Sequence, residues 1–415
     1  MRLPTPQPRP SRLFYGWRVA AAAAGLQFCY AALLLQAFGA YVAVLSDELG
    51  WSKTALAGGA AIQSVEGALI GPLLGWVVDR FGPRPVVQAG VLVFALGFAV
   101  FGTIESLGGF YVAVTLIAVG ASLCGYSPLS VCLVHFFKRQ RARALSMMSL
   151  GLAAGGLAVP LVSWSMQVLG WRRTALASAV VILVVGWPLA RVVRRNPAEV
   201  GEPVDGDPAP PPGGDARPDA APEREFSARE ALRTRAFWLL GIAHGLALLV
   251  VSSVNVHAIS HMKEALGYSL AQASFFITLM TLSQGAGILL GAAGGDRWNK
   301  RHVVAGCMLA HMAGLLLLTF GSHPAWLVLF ALLHGTAWGL RGPFMQALRA
   351  DYFGLKAIGM IMGLSAAIIA VGQVVGPMFA GVMADLTGSY RVAFVVLALA
   401  AGSGSVMFLL ARKPA

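Results

Sequence analysis

Hydrophobic positions along this chain run in long unbroken stretches, not in the alternating or one-faced patterns of water-soluble elements. Stretches of roughly 20 apolar residues, enough to cross a hydrocarbon core ~30 Å thick, recur from end to end. They place spans at 17–44, 54–78, 85–104, 108–133, 144–168, 174–194, 236–260, 271–294, 302–320, 324–348, 357–383 and 389–411. Backbone polar groups cannot go unpaired in lipid, so each span is expected to be a helix. The ten-residue alternation of an outer-membrane barrel does not occur.

One segment breaks the pattern. Residues 196–235 open on Asn196-Pro197, pass through a Pro/Gly/Asp-rich run and end in charged residues, with a short amphipathic helix expected near Ser227–Thr234. The division is therefore a cytoplasmic tail (1–14), a first six-helix bundle (15–195), a flexible cytoplasmic linker (196–235), a second six-helix bundle (236–411) and a short tail (412–415). The two halves repeat. Asp79-Arg80 after span 2 answers Asp296-Arg297 after span 8, an offset of 217, and Pro160 answers Pro377 at the same offset. Tyr126-Ser127-Pro128 answers Arg341-Gly342-Pro343 at 215, and His135-Phe136-Phe137 answers Asp351-Tyr352-Phe353 at 216. Four matches in one order argue for internal duplication, a usual construction of secondary transporters. The expected fold is an all-α membrane protein, twelve transmembrane helices in two six-helix pseudo-symmetric bundles.

Composition agrees: 12% of the 415 residues are charged, 57% are hydrophobic and mean hydropathy is +0.71. The net charge of +13 suggests nucleic acid only until the basic residues are placed on the topology. Most of them, including Arg80, Arg84, Arg297, Lys300 and Arg349, then fall on one side. By the positive-inside rule both termini are expected in the cytoplasm, and the chain in a bacterial inner membrane as a multi-pass protein. Nucleic acid is not an expected partner; membrane lipids, a small-molecule substrate and a proton are, with the chain a monomer. The apolar run after the basic start is too long for a signal peptide and reads as the first span. Cys29, Cys124, Cys132 and Cys307 sit singly in spans without a CxxC pair, so no metal, disulfide or cofactor is expected.

Gly71-x3-Gly75-x3-Asp79-Arg80-x-Gly82-x-Arg84 resembles the loop 2–3 signature of the major facilitator superfamily, with a weaker copy at 291–301. Tyr15-Gly16-Trp17 and His135-Phe136-Phe137-Lys138-Arg139-x-Arg141 resemble its monocarboxylate-porter and oxalate/formate-antiporter branch. The resemblance implies the fold above and an alternating-access carrier, and it implies that Asp79 and basic partners latch the two bundles on the cytoplasmic side. Gly67, Gly71 and Gly75 independently make a smooth stripe for close helix packing.

Ionisable groups at bilayer depth are costly and point to function. Glu66 lies mid-span in helix 2, a proton-coupling carboxyl or a structural hydrogen bond. Arg341 lies within span 10 beside Gly339, Gly342 and Pro343, which imply a locally irregular helix; it either snorkels or faces a central cavity opposite its repeat partner Tyr126. Gly125-Tyr126-x-Pro128 resembles the segment that gives bacterial lactate-type members a substrate-facing tyrosine. His244 is a second proton-coupling candidate, and Asn255, eleven residues on, is expected on the same face. Gln36, Gln284 and Gln373 are candidate neutral hydrogen-bonders. The resemblance also implies an arginine in span 8 that pairs with a carboxylate, and residues 284–291 contain none.

The leading expectation is a proton-coupled symporter for an organic anion such as a monocarboxylate, with Arg341, Tyr126, Asn255, Gln284 and Gln373 at the substrate. The alternative is export of hydrophobic or drug-like compounds by proton antiport. No convergent catalytic set occurs, so an enzyme is not expected.

Overall fold

The computed structural model describes residues 14–35, 37–51, 53–206, 224–321 and 323–414. The expected tail up to residue 13, Gln36 and residues 207–223 of the expected linker lie outside the described residues. Among the described residues there are twelve long helical segments and no strand. They are α1 (Tyr15–Leu49), α2 (Lys53–Phe81), α3 (Pro83–Phe101), α4 (Leu107–Phe136), α5 (Arg141–Leu169) and α6 (Trp171–Val192). After the linker come α7 (Arg235–Glu264), α8 (Leu270–Gly294), α9 (Lys300–Phe320), α10 (Pro324–Phe353), α11 (Ile358–Thr387) and α12 (Arg391–Leu410). By length and composition, ten are apolar enough to cross a membrane.

Local chemistry sets where helices start and bend. Ser106, Thr234 and Asn299 each accept a backbone N–H at the start of α4, α7 and α9, and Ser269 with Gln272 closes a capping box on α8. Two prolines fall where their missing N–H is tolerated. Pro160 follows the 3₁₀ turn Gly156–Ala158 in α5, and Pro188 follows the π-helical turn Ile182–Gly186 in α6. α10 departs from expectation: it runs unbroken for 30 residues with Pro343 inside it. Gly339 is there for packing, since a methyl at that position would collide with the Gln284 carbonyl of α8.

Two apolar cores form. One gathers Phe94, Phe98, Phe110 and Trp171 among α1–α6, the other Phe237, Phe330, Phe394 and Phe408 among α7–α12. Large apolar side chains such as Leu161, Trp164, Val184, Leu282 and Leu399 face outward, the surface that lipid tails solvate. The halves meet where α2 lies along α11 and where α5 lies on α8 and α10. Both ends of the described chain, and the loops that join α2–α3, α4–α5, α8–α9 and α10–α11, share one face of the molecule, called here the terminal face.

The segment before residue 207 is docked there. Glu202 accepts the Tyr15 backbone N–H at 2.7 Å, and Asp205 accepts those of Lys138 and Arg139 at 3.0–3.2 Å. Where description resumes, Glu225 accepts the N–H groups of Leu355 and Lys356 at 2.7 Å. The short helix expected near Ser227–Thr234 is Ala228–Leu232, with a Ser227/Glu230 capping box.

Candidate functional site

Inside the apolar frame the polar groups are few. Among the described residues Glu66 is the one buried carboxylate, and the buried guanidiniums are Arg141, Arg341 and Arg349. Arg141 is paired: it reaches Asp351 at 2.5 Å, and Lys300 completes a triad at 2.9 Å. Arg341 and Arg349 are each 1% exposed and meet no carboxylate among the described residues. Nε and Nη1 of Arg341, and Nε of Arg349, make no hydrogen bond. Snorkelling is therefore ruled out for Arg341 in this state, because its head group is enclosed.

Arg349 corrects the sequence reading, which took it as a cytoplasmic charge just beyond span 10. α10 continues to Phe353, and this extra turn carries Arg349 into the interior. There it donates Nη2–H to His244 Nδ1 of α7 at 3.1 Å and Nη1–H to Gln346 Oε1 at 3.4 Å. An acceptor Nδ1 puts the His244 proton on Nε2. His244 is buried, with both guanidiniums near it. The phenol of Tyr126, in α4, also lies within electrostatic reach of both arginines, and its hydroxyl makes no hydrogen bond. The repeat pairing of Tyr126 with Arg341 thus corresponds to a spatial meeting across the two halves.

Tyr126 also lines a cavity of ≈ 240 Å³ whose wall includes Tyr30 of α1, Glu66 and Gly71 of α2, Ser122 of α4 and Ala366 of α11. The Glu66 carboxylate accepts the Ser122 hydroxyl at 2.9 Å through Oε2, and its Oε1 has no partner. Arg341 and Arg349 are not in the cavity wall; Tyr126 is the residue common to cavity and cations. The remaining expected residues do not gather here. Gln284 is half-buried, and Gln373 and Asn255 are exposed. Asn255 therefore does not share the buried environment of His244. Sequence reading missed Arg349, Ser122, Tyr30 and Gln27, which is 1% exposed with both amide atoms unpaired. Gln27 was readable as the polar residue interrupting an apolar run.

The signature residues form a clasp at the terminal face. Gly71 and Gly75 let α2 approach α11 at Gly363 and Gly359, so closely that a Cβ on Gly75 would strike the Gly359 carbonyl. Asp79 then accepts the backbone N–H groups of Gly359 and Met360, both at 2.8 Å, at the start of α11. Asp296 does the same for Ala142 and Arg143 at the start of α5, at 2.8 and 3.0 Å. Donors and acceptors are displaced by one 217-residue offset, so the clasp repeats the internal duplication. The latch is a carboxylate on a helix N-terminus, where exposed N–H groups and the helix dipole favour negative charge, and not the expected ion pair. The arginines serve otherwise. Arg195 donates to the Asp79 carbonyl at 2.9 Å, Arg80 lies over the Trp76 ring at 5.6 Å, and Arg297 is exposed. Gly82, at φ +83°, makes the turn into α3 ahead of Arg84, which is half-buried.

The family model described as Major Facilitator Superfamily matches residues 23–260 and 240–415. Among curated proteins, monocarboxylate transporter 13 of Bos taurus is 24% identical over 408 residues, covering 95% of this chain and 89% of its own. Among solved structures, the human organic anion transporter MFSD10 (TETRAN) superposes with a TM-score of 0.71 at 17% identity, covering 96% of this chain and 100% of its own. FucP in the outward conformation superposes with a TM-score of 0.68 at 16% identity, covering 96% and 98%.

Proposed function

This chain belongs to the major facilitator superfamily, a multi-pass membrane transport protein and not an enzyme, and we propose that it carries a small organic anion, coupled to a proton, by alternating access. The observation that carries this reading is the pair of enclosed guanidiniums, Arg341 and Arg349, with no carboxylate among the described residues to neutralise either. A buried charge without a counterion costs several kcal/mol, so a site that keeps two of them is built for an acceptor-rich ligand. Arg341, with two free N–H-bearing nitrogens, suits the planar fork that binds a carboxylate. It takes the role of the arginine that α8 lacks. Tyr126 offers its hydroxyl as a further donor, and His244 holds Arg349 in place. The similarity to monocarboxylate transporter 13 favours a carboxylate over other anions.

Glu66 is the proposed proton carrier of the cycle. Among the described residues it is the one buried carboxylate, it lines the cavity, and one of its oxygens is free to hold a proton. The clasp is the gate. With α2 locked on α11 and α5 capped by Asp296, the terminal face is closed in this structure, and the proposed motion breaks those four N–H···carboxylate bonds. The positive-inside distribution puts that face in the cytoplasm.

Uptake of radiolabelled monocarboxylates into proteoliposomes tests the reading. Wild-type protein is expected to accumulate a carboxylate when the lumen is alkaline, and Arg341→Gln is expected to lose at least ~10-fold of that uptake, as for removal of a charge-assisted contact worth ~1.5–3 kcal/mol. Equal uptake by the two proteins, with equal amounts reconstituted, would contradict the assignment.

A further inference from the structure

Two histidines that neither the sequence reading nor the proposed cycle uses meet in the second half. His311 of α9 and His334 of α10 are both 0% exposed, their ring centroids are 4.4 Å apart, and their Nδ1 atoms are 3.1 Å apart. A contact of that length needs a hydrogen between the nitrogens. One ring therefore donates from Nδ1 and carries a bare Nε2, while the other accepts at Nδ1 and carries its proton on Nε2. Neither Nε2 has a partner. A bare, unpartnered ring nitrogen inside a membrane protein is a proton acceptor held empty.

The surroundings say when it can fill. The charged group that acts on both rings is Arg341, two turns along α10 from His334, and Cys307 lies one turn before His311 on α9. Phe330 covers the His334 ring at 5.6 Å, and Gly314 packs on its Cβ. His244, Arg349 and Tyr126 are further titratable and charged groups around Arg341. No acid among the described residues pairs with the histidines. With Arg341 unneutralised, a proton on the pair would add like charge to like charge in a low-dielectric site. An anion on Arg341 removes that penalty.

We propose that the His311–His334 pair is a proton-binding site that fills when a carboxylate occupies Arg341. The step balances as a proton transfer: the O–H or N–H bond of a hydronium ion or buffer acid breaks, its proton goes to the bare Nε2, its conjugate base stays in solution, and the neutral pair becomes a singly charged one that still shares the Nδ1 hydrogen. No bond other than that N–H forms. This inference rests on Arg341 being the anion site and adds a second proton position to Glu66. Glu66 answers to the cavity and the gate, whereas the histidine pair answers to the ligand.

The test is the proton count of binding, read by titration calorimetry of the purified full chain with a monocarboxylate in buffers of different ionisation enthalpy. Linkage predicts uptake of about one proton per carboxylate bound by wild type near neutral pH. Uptake is expected to persist in Glu66→Gln and to fall to about zero in His311→Gln and in His334→Gln, with carboxylate binding itself retained at alkaline pH. That retained binding shows the variants are folded. Proton uptake unchanged in both histidine variants, or no uptake by wild type despite binding, overturns the pair. Absence of any carboxylate binding by wild type, or binding equal in Arg341→Gln, overturns the anion site instead.

Discussion

Arg341 and Arg349 sit on one helix eight residues apart, enclosed together and answered by neutral partners alone. A guanidinium cannot shed its charge inside a protein, and no carboxylate among the described residues meets either one, so an anionic ligand is the proposed counterion. Two consequences follow at this scale. Arg341→Lys is expected to fail to restore carboxylate uptake, because an ammonium keeps the charge and loses the planar fork; uptake within twofold of wild type would mean that charge alone suffices. Glu66→Gln is expected to keep carboxylate exchange between equal pools and to lose accumulation driven by a pH gradient, since an amide cannot carry the proton. Arg341, Tyr126 and Glu66 were legible in the sequence, because a charge or a repeated position stands out in an apolar run. Arg349 was not, because its meaning depends on whether α10 ends before it or after it, and hydropathy fixes helix ends only to within a turn. Asn255 shares helical phase with His244 but is exposed where His244 is buried, because phase says nothing of what covers each residue.

At the scale of the element, the clasp between α2 and α11 depends on absent side chains as much as on Asp79. Gly75→Val is expected to push the two helices apart, because its Cβ meets the Gly359 backbone and not a flexible side chain. Asp79→Asn removes the charge from the start of α11 at a cost of ~0.3–2 kcal/mol, a shift of roughly twofold to some 30-fold toward an open terminal face. Spin-label distances between α2 and α11 across that face are the readout. Both variants are expected to lengthen them, and unchanged distances in both would remove the clasp from the gate. The glycine spacing and the repeated Asp-Arg pairs announced this element. That the acids cap helices and do not pair with arginines was hidden, because the receiving N–H groups belong to the backbone and have no sequence signature.

Across the whole molecule, the twelve spans and the two related halves were readable because lipid leaves the backbone no alternative to helices and because duplication left a constant offset. That offset reappears in the fold, where Asp79 and Asp296 hold helix starts related by the same 217 residues, and Asp205 and Glu225 hold loops related likewise. What hydropathy could not show is how the halves lean on each other. The contacts gather at one face, and Tyr126 links the cavity beside Glu66 to the cations of the other half. The two enclosed arginines, Arg341 and Arg349, are the proposed anion site. Thermal unfolding of the purified chain against a panel of carboxylates, amines and neutral solutes tests it most directly, because a ligand that binds the native state raises the melting temperature by mass action. Carboxylates are expected to stabilise wild type by several degrees, and Arg341→Gln not at all, while amines and neutral solutes stabilise neither. Stabilisation by amines or lipophilic neutral compounds, with carboxylates inert, would contradict it.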